Sequence, residues 1–464
     1  MEQLAEQTRK KKLKERTWTH EVSGLLADIH PPLIEGGRVG DARTQARLAG
    51  KAVATQISEY WRKARSEAPG PIMLLDMFSG CGGMSTGFRA ANALGPIFDI
   101  RGAVDIDPVA NQSYATNHGV EPLCEDLAAL ARSPKKLNDF LARTGFGSAQ
   151  ANVLIGCAPC QGFSSHRNVE GESDTRNSLF VDFARIASKI GPDAIVVENV
   201  PELLTERYWP YVAKARQILE KAGYYVHVNV HNMAEFGVPQ ERFRALMLAM
   251  KRPFEAPRGF LSRTEFLTVR NAISDLPPVG AGQKIPSDAM HFSAGHKQST
   301  IETIRAVPKD GGNRPDHVGP ACLQRAKQKS GKAAYEDVYG RLAWDKPAIT
   351  ITAYARNPAS GRFVHPEQDR GLTVREAALL QSFPRDYVIG GGLDERFRQI
   401  GNAVPPAFSA FLAMHIVGEL IGQPLSPEKF DKGIVAPVGA SFSRMIPSLK
   451  NKKKKESESD AICA

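Results

Sequence analysis

Between residues 71 and 250 the chain alternates short apolar runs with segments of helical spacing, a rhythm that few architectures accept. The runs at 72–77, 97–104, 152–155, 194–197, 225–230 and 245–250 predict strands, and the stretches at 84–94, 108–117, 134–143, 178–190 and 208–222 predict helices. Such alternation builds βαβ units, so the expected fold class is α/β: a doubly wound, mostly parallel sheet covered on both faces. Ligands of these sheets bind beyond the carboxyl ends of the strands. Chemistry is therefore expected in the segments just after each apolar run.

The first run ends in Phe78-Ser79-Gly80-Cys81-Gly82-Gly83. Glycines here let the backbone turn tightly and approach a ligand at a helix N-terminus. A dinucleotide fingerprint needs another glycine three places after Gly82, where Ser85 stands, so NAD is disfavoured. The second run ends at Asp105, whose carboxylate can accept from both hydroxyls of a ribose. Asp126 is placed to accept from an adenine amino group, and Phe78 to offer an aromatic face to a sulfonium. Each of these residues also reads as an ordinary turn or capping residue.

After the run at 152–155 comes Gly156-Cys157-Ala158-Pro159-Cys160-Gln161-Gly162-Phe163-Ser164. A thiol in a Pro/Gly-rich turn is rigidly presented and open to activation by nearby positive charge. The Cys157-x-x-Cys160 spacing also fits a zinc half-site or a redox pair, but no second pair stands at zinc spacing. Cys157 reads equally as a buried, inert cysteine. The run at 194–197 leads to Glu198-Asn199, a carboxylate suited to proton exchange with a heterocycle. Gln240-Glu241-Arg242-Phe243-Arg244 follows, and in an extended segment Gln240, Arg242 and Arg244 share one face, a cationic row suited to a phosphate or an oxyanion.

The remainder of the chain is less regular. An Ala-rich stretch at 41–66 has helical spacing, and 252–340 is Pro- and Gly-rich with scattered cations. Regular texture returns at 342–352, in a helix at 373–382 and in a helix from Pro406 to near Gly422. Lys452 to Lys455 lie in a tail, 423–464, expected to be disordered. Net charge is +10, which suits a polyanionic partner. No apolar run approaches the ~20 residues of a membrane span, and the six cysteines form no disulfide framework, so a cytoplasmic, nucleoid-associated protein is expected.

Taken in order, DMFSGCGG (76–83), AVDIDP (103–108), GCAPCQGFS (156–164), DTRNSL (174–179), ENV (198–200), QERFR (240–244), RLAWDKPAITIT (341–352), LTVREAALLQSFP (372–384) and IGNAVPP (400–406) resemble the C5-cytosine DNA methyltransferase family over about 72–421. The resemblance implies S-adenosylmethionine as cofactor, double-stranded DNA as partner and no metal. It implies Cys160 as nucleophile, Glu198 at the ring N3 and amine, Arg242 at O2 and Arg244 ordering the site. It places Phe78, Gly80, Gly82, Asp105, Ile106, Asp126, Pro159, Asn402 and Ala403 at the cofactor, and Gln161, Ser164, Asn199 and Gln240 at the substrate. The ribose-binding acid is commonly Glu in the family, which makes Asp107 a rival of Asp105.

The same resemblance divides the chain into an extension (1–70), a catalytic domain (71–251 with 395–422), a target-recognition domain (252–394) and the tail. It further implies a monomer, acting alone or beside a separate restriction endonuclease. An RNA methyltransferase of the tRNA-modifying branch is the alternative, disfavoured because Ala158 precedes Pro159 where that branch carries Pro-Pro-Cys, and no Cys-Phe-Thr element is found.

Overall fold

The computed structural model describes residues 71–94, 97–159, 178–323 and 337–439. The expected helix at 41–66, and Cys160, Gln161 and Ser164, lie outside the described residues. Strands β1 (Ile72–Met77), β2 (Phe98–Asp105), β3 (Leu123–Cys124), β4 (Asn152–Cys157), β5 (Ala194–Asn199), β6 (Tyr225–Asn232), β7 (Gln240–Glu241) and β8 (Phe243–Met250) come first. All but β7 form one seven-stranded sheet, ordered β3-β2-β1-β4-β5-β8-β6. Within it β8 alone runs against its neighbours, pairing antiparallel with both β5 and β6.

Helices α1 (Gly83–Ala90), α2 (Pro108–His118), α3 (Leu127–Arg132), α4 (Pro134–Thr144), α5 (Leu179–Ile190) and α6 (Trp209–Lys221) connect these strands. Local chemistry sets their limits. Asp107 caps α2, Pro108 takes its first turn, and Gly119 closes it in the left-handed region. Ser133, Pro134 and Gly145 do the same for α4.

Alternate strand residues supply the two faces of the sheet. Leu74, Val153, Ile155, Val196, Leu246 and Leu248 pack on one side with Phe88, Leu412 and Ile416. Leu75, Leu154, Ile195, Val197, Met247 and Ala249 pack on the other with Phe183, Ile186, Val212 and Leu219. A third core joins Val269, Ile273, Trp344, Phe363, Leu379, Phe383 and Ile400 to Cys81 of the first loop. It gathers short elements: α7 (Val269–Ile273), the hairpin β9 (Lys284–Ile285) and β10 (Asp288–Phe292), β11 (Ala348–Ile349) and α9 (Val374–Leu380), with α8 (Gln298–Arg305) beside it.

Helices α10 (Leu393–Asn402) and α11 (Pro406–Ile421) return the chain to the sheet. By length and composition Leu393–Ile421 would cross a membrane, a property the apolar-run reading did not anticipate. However, 83% of its apolar window is buried in the fold, as in a core helix. The expectation of disorder from 423 onward is also corrected for 423–439. Ile434 N donates to Val228 O at 2.7 Å, and Arg216 donates to the carbonyls of Lys432 and Ile434 at 2.6 and 2.8 Å. Thus backbone bonding covers β6, an edge strand that would otherwise offer unpaired groups to another chain.

Helix α11 can lie on α1 because Gly87 has no side chain. A Cβ there would stand 2.4 Å from Ala410 N and 2.5 Å from Pro406 O. Gly87→Val should therefore destabilise the protein by about 1–3 kcal/mol through overpacking. Chemical denaturation would read this as a lower midpoint, and an unchanged midpoint would contradict the close α1–α11 contact.

Candidate active site

A cleft of about 900 Å³ opens at the carboxyl ends of β1, β2 and β4. Phe78, Gly80, Asp105, Ile106, Asp126, Pro159, Asn402 and Ala403, all expected at a cofactor, line it. Gly80 takes φ +52°, and a Cβ on it would meet no protein atom within 4 Å. Its backbone therefore faces open cleft. Gly82 does not line the cleft. It caps α1 with φ +91°, and a Cβ there would strike His118 Nε2 at 2.5 Å and Tyr387 Oη at 2.9 Å.

The two rival acids both line the cleft but differ in what they bind. Asp105 lines the cleft and accepts from Gly80 N at 2.8 Å and Asp107 N at 2.9 Å, which fixes the first loop against β2. Asp107 accepts from Val109 N and Ala110 N as a helix cap and pairs with Arg398 at 3.1 Å. Asp126 likewise caps α3 through Ala128 N, while Ile106 stands 67% exposed at the cleft, an apolar side chain free to cover a flat ligand.

Asp76, within β1 and not singled out by its place in the apolar run, also lines the cleft. Its carboxylate accepts from Ser85 Oγ at 2.6 Å, and Ser85 Oγ meets Tyr114 Oη at 2.8 Å. Burial pushes its pKa up to about 7, against the Ser85 hydrogen bond and with Asp105 adding repulsion.

A second cluster stands at the ends of β4, β5 and the start of β8. Cys157 and Glu198 are partners in the β4–β5 register. Cys157 Sγ donates to Glu198 Oε2 at 2.9 Å, and Arg244 Nε lies 3.0 Å from Oε1. Glu198 is only 2% exposed, so these partners matter to a charge that cannot reach bulk water.

The other cation differs from expectation. Arg242 falls in the break between β7 and β8, where strand alternation is interrupted. It is 2% exposed, and its guanidinium donates to Ile351 O and Gly401 O at 3.0 Å and Ala403 O at 3.3 Å. The pair is thus reversed: Arg244 faces the carboxylate, and Arg242 ties distant backbone segments together.

Two residues expected at the substrate are bonded to protein groups. Gln240 is fully buried, donates to Leu380 O at 2.8 Å and accepts from Ile351 N at 3.0 Å. Asn199 donates to Ala158 O at 3.1 Å and so steadies the approach to the Cys160 loop.

With this geometry in view, comparison with known proteins is decisive. Residues 72–418 match the family model for the C-5 cytosine-specific DNA methylases. The chain belongs to that family. It is 33% identical over 355 residues to the type II methylase M.HgiDII of Herpetosiphon aurantiacus, covering 74% of this chain and 94% of that one. It is 35% identical over 344 residues to the type II methyltransferase M1.HphI of Haemophilus parahaemolyticus, covering 73% and 85%. A solved E. coli structure, described as a prophage-encoded DNA modification methyltransferase, shares the fold at TM-score 0.54 and 23% identity, over 76% of this chain and all of that one.

The buried acid supplies a test of the cleft. Asp76 holds its proton more tightly folded than unfolded, so its favourable contribution is present below pH ~4 and declines as pH rises through about 7. Relative to the wild type, Asp76→Asn should gain stability between pH 4 and 7 and level off above. A constant difference across that range would contradict the burial of this carboxyl.

Proposed function

We propose that this chain is a DNA (cytosine-5-)-methyltransferase that uses S-adenosylmethionine and acts on a flipped cytosine in a specific duplex sequence. The observation that carries the reading is the Glu198 carboxylate, held at the sheet's carboxyl edge with Arg244 beside it and bonded to Cys157, which lines the cleft together with Pro159. S-adenosylmethionine, when bound, supplies an electrophilic methyl group. The chain's own residues fit such a cofactor: Asp105 at the ribose, Asp126 at the adenine amine, Ile106 over the purine and the Gly80 backbone beside the methionine portion.

The target base is flipped out of the duplex into the pocket. The Cys160 thiolate forms a bond to C6 of the cytosine while Glu198, which must enter this step as the carboxylic acid, gives a proton to N3, so charge does not accumulate on the ring. Arg244 steadies Glu198 and faces O2. These steps leave C5 nucleophilic and ready for the methyl group. The C5 proton then passes to water, the C5–C6 double bond re-forms as the S–C6 bond breaks and frees the thiolate, and N3 returns its proton to Glu198. The segment 252–394 is the target-recognition region, and the net charge of +10 favours the DNA backbone.

Duplex DNA containing 5-fluorocytosine cannot complete the elimination. With S-adenosylmethionine it should leave a covalent adduct on Cys160, found by mass spectrometry of the digested protein. An adduct on Cys157 would overturn the choice of nucleophile. Arg244→Ala should cost turnover roughly a hundredfold, the scale of losing one charged contact at a reacting centre, whereas wild-type turnover would remove Arg244 from the site.

A further inference from the structure

The reading just given assigns no task to Cys157, yet its thiol makes one of the shortest contacts to the proposed catalytic carboxylate. Two independent features bring it there. The β4–β5 register sets Cys157 opposite Glu198, and Gly156 before it sits where a Cβ would strike Phe183 at 2.5 Å, so the strand end is packed in place. Among the described residues the sulfur reaches Glu198 Oε2 at 2.9 Å and Asn402 O at 3.9 Å, and the nearer is the carboxylate.

A glutamate's terminal torsion is intrinsically broad, so one contact leaves the carboxylate free to rotate. Here Arg244 approaches Oε1 at 3.0 Å and Cys157 approaches Oε2, one on each oxygen. The Arg244 contact is an ion pair without hydrogen-bond alignment, so among the described residues the Cys157 thiol is the aligned donor that sets the orientation of the group. Cys157 also lines the cleft, so the thiol stands between it and Glu198.

Resting on the assignment of Glu198 above, we infer that Cys157 is a positioning residue that orients the Glu198 carboxylate for proton transfer to the base. Its thiol remains a donor throughout and forms no bond to substrate. Alanine and valine at 157 leave Oε2 without that donor, one with space and one without. Serine restores a donor at slightly shorter reach.

The test compares the full-length wild type with Cys157→Ala, Cys157→Val, Cys157→Ser and Glu198→Gln. Methyl incorporation is followed on unmethylated genomic DNA, with S-adenosylmethionine binding as the check of folding. Alanine and valine should lower kcat about ten- to hundredfold, the range for losing a hydrogen bond to a charged group, with KM for DNA and cofactor within about twofold. Serine should recover most of kcat. Wild-type kcat in the alanine and valine variants with Glu198→Gln inactive would make Cys157 a space-filler and overturn the inference alone. So would a rise in KM without loss of kcat, or a serine variant no better than alanine. Full turnover by Glu198→Gln would instead remove the carboxylate's role, and this inference with it.

Discussion

Because β8 runs against β5, its first residues rather than its last lie at the carboxyl edge of the sheet, and from there Arg244 reaches Glu198 at 3.0 Å. In an all-parallel sheet the start of that strand would lie at the opposite edge. The reversal therefore brings a cation to a carboxylate on the adjoining strand and leaves Cys157, from the other neighbour, to meet its second oxygen. A buried carboxylate with one partner removed would carry much of its desolvation cost uncompensated. The surrounding geometry depends on keeping all three strand ends in register.

That register is secured from far along the chain. Arg242 bonds carbonyls at 351, 401 and 403, while Gln240 bonds the backbone at 380 and 351. Gly401 allows the closest approach, since a Cβ on it would stand 2.1 Å from Ala353 N. These contacts bring Asn402 and Ala403 to the cleft wall. They also link the third core, mostly from residues 269–400, to the first glycine loop through Cys81 and Tyr387. First glycine loop, carboxylate and the irregular region thus share one packed body.

Much of this was legible because local chemistry marked it. Asp107-Pro108 with Gly119, and Ser133-Pro134 with Gly145, announce helix limits whatever surrounds them, and the apolar runs announce strands. Strand direction left no such mark, since a period-two pattern reads alike both ways, so the reversal of β8 was invisible. Alternation also predicts one shared face for Gln240, Arg242 and Arg244, but the break between β7 and β8 interrupts it, so the two arginines meet different partners. Gln240 and Asn199 looked like substrate contacts because their amides suit a base, whereas backbone groups remote in sequence engage them. Residues 423–439 looked unstructured because their hold on β6 is largely through main-chain groups, which composition does not reveal.

The account stands on one chemical claim, that the site places a methyl group on carbon 5 of cytosine in DNA. Bisulfite sequencing of genomic DNA from a methylation-free host expressing the chain measures this at every cytosine. Cytosines protected from conversion are expected within one recurring sequence, each at a fixed position. Complete conversion throughout the genome, with the protein folded and expressed, would contradict it.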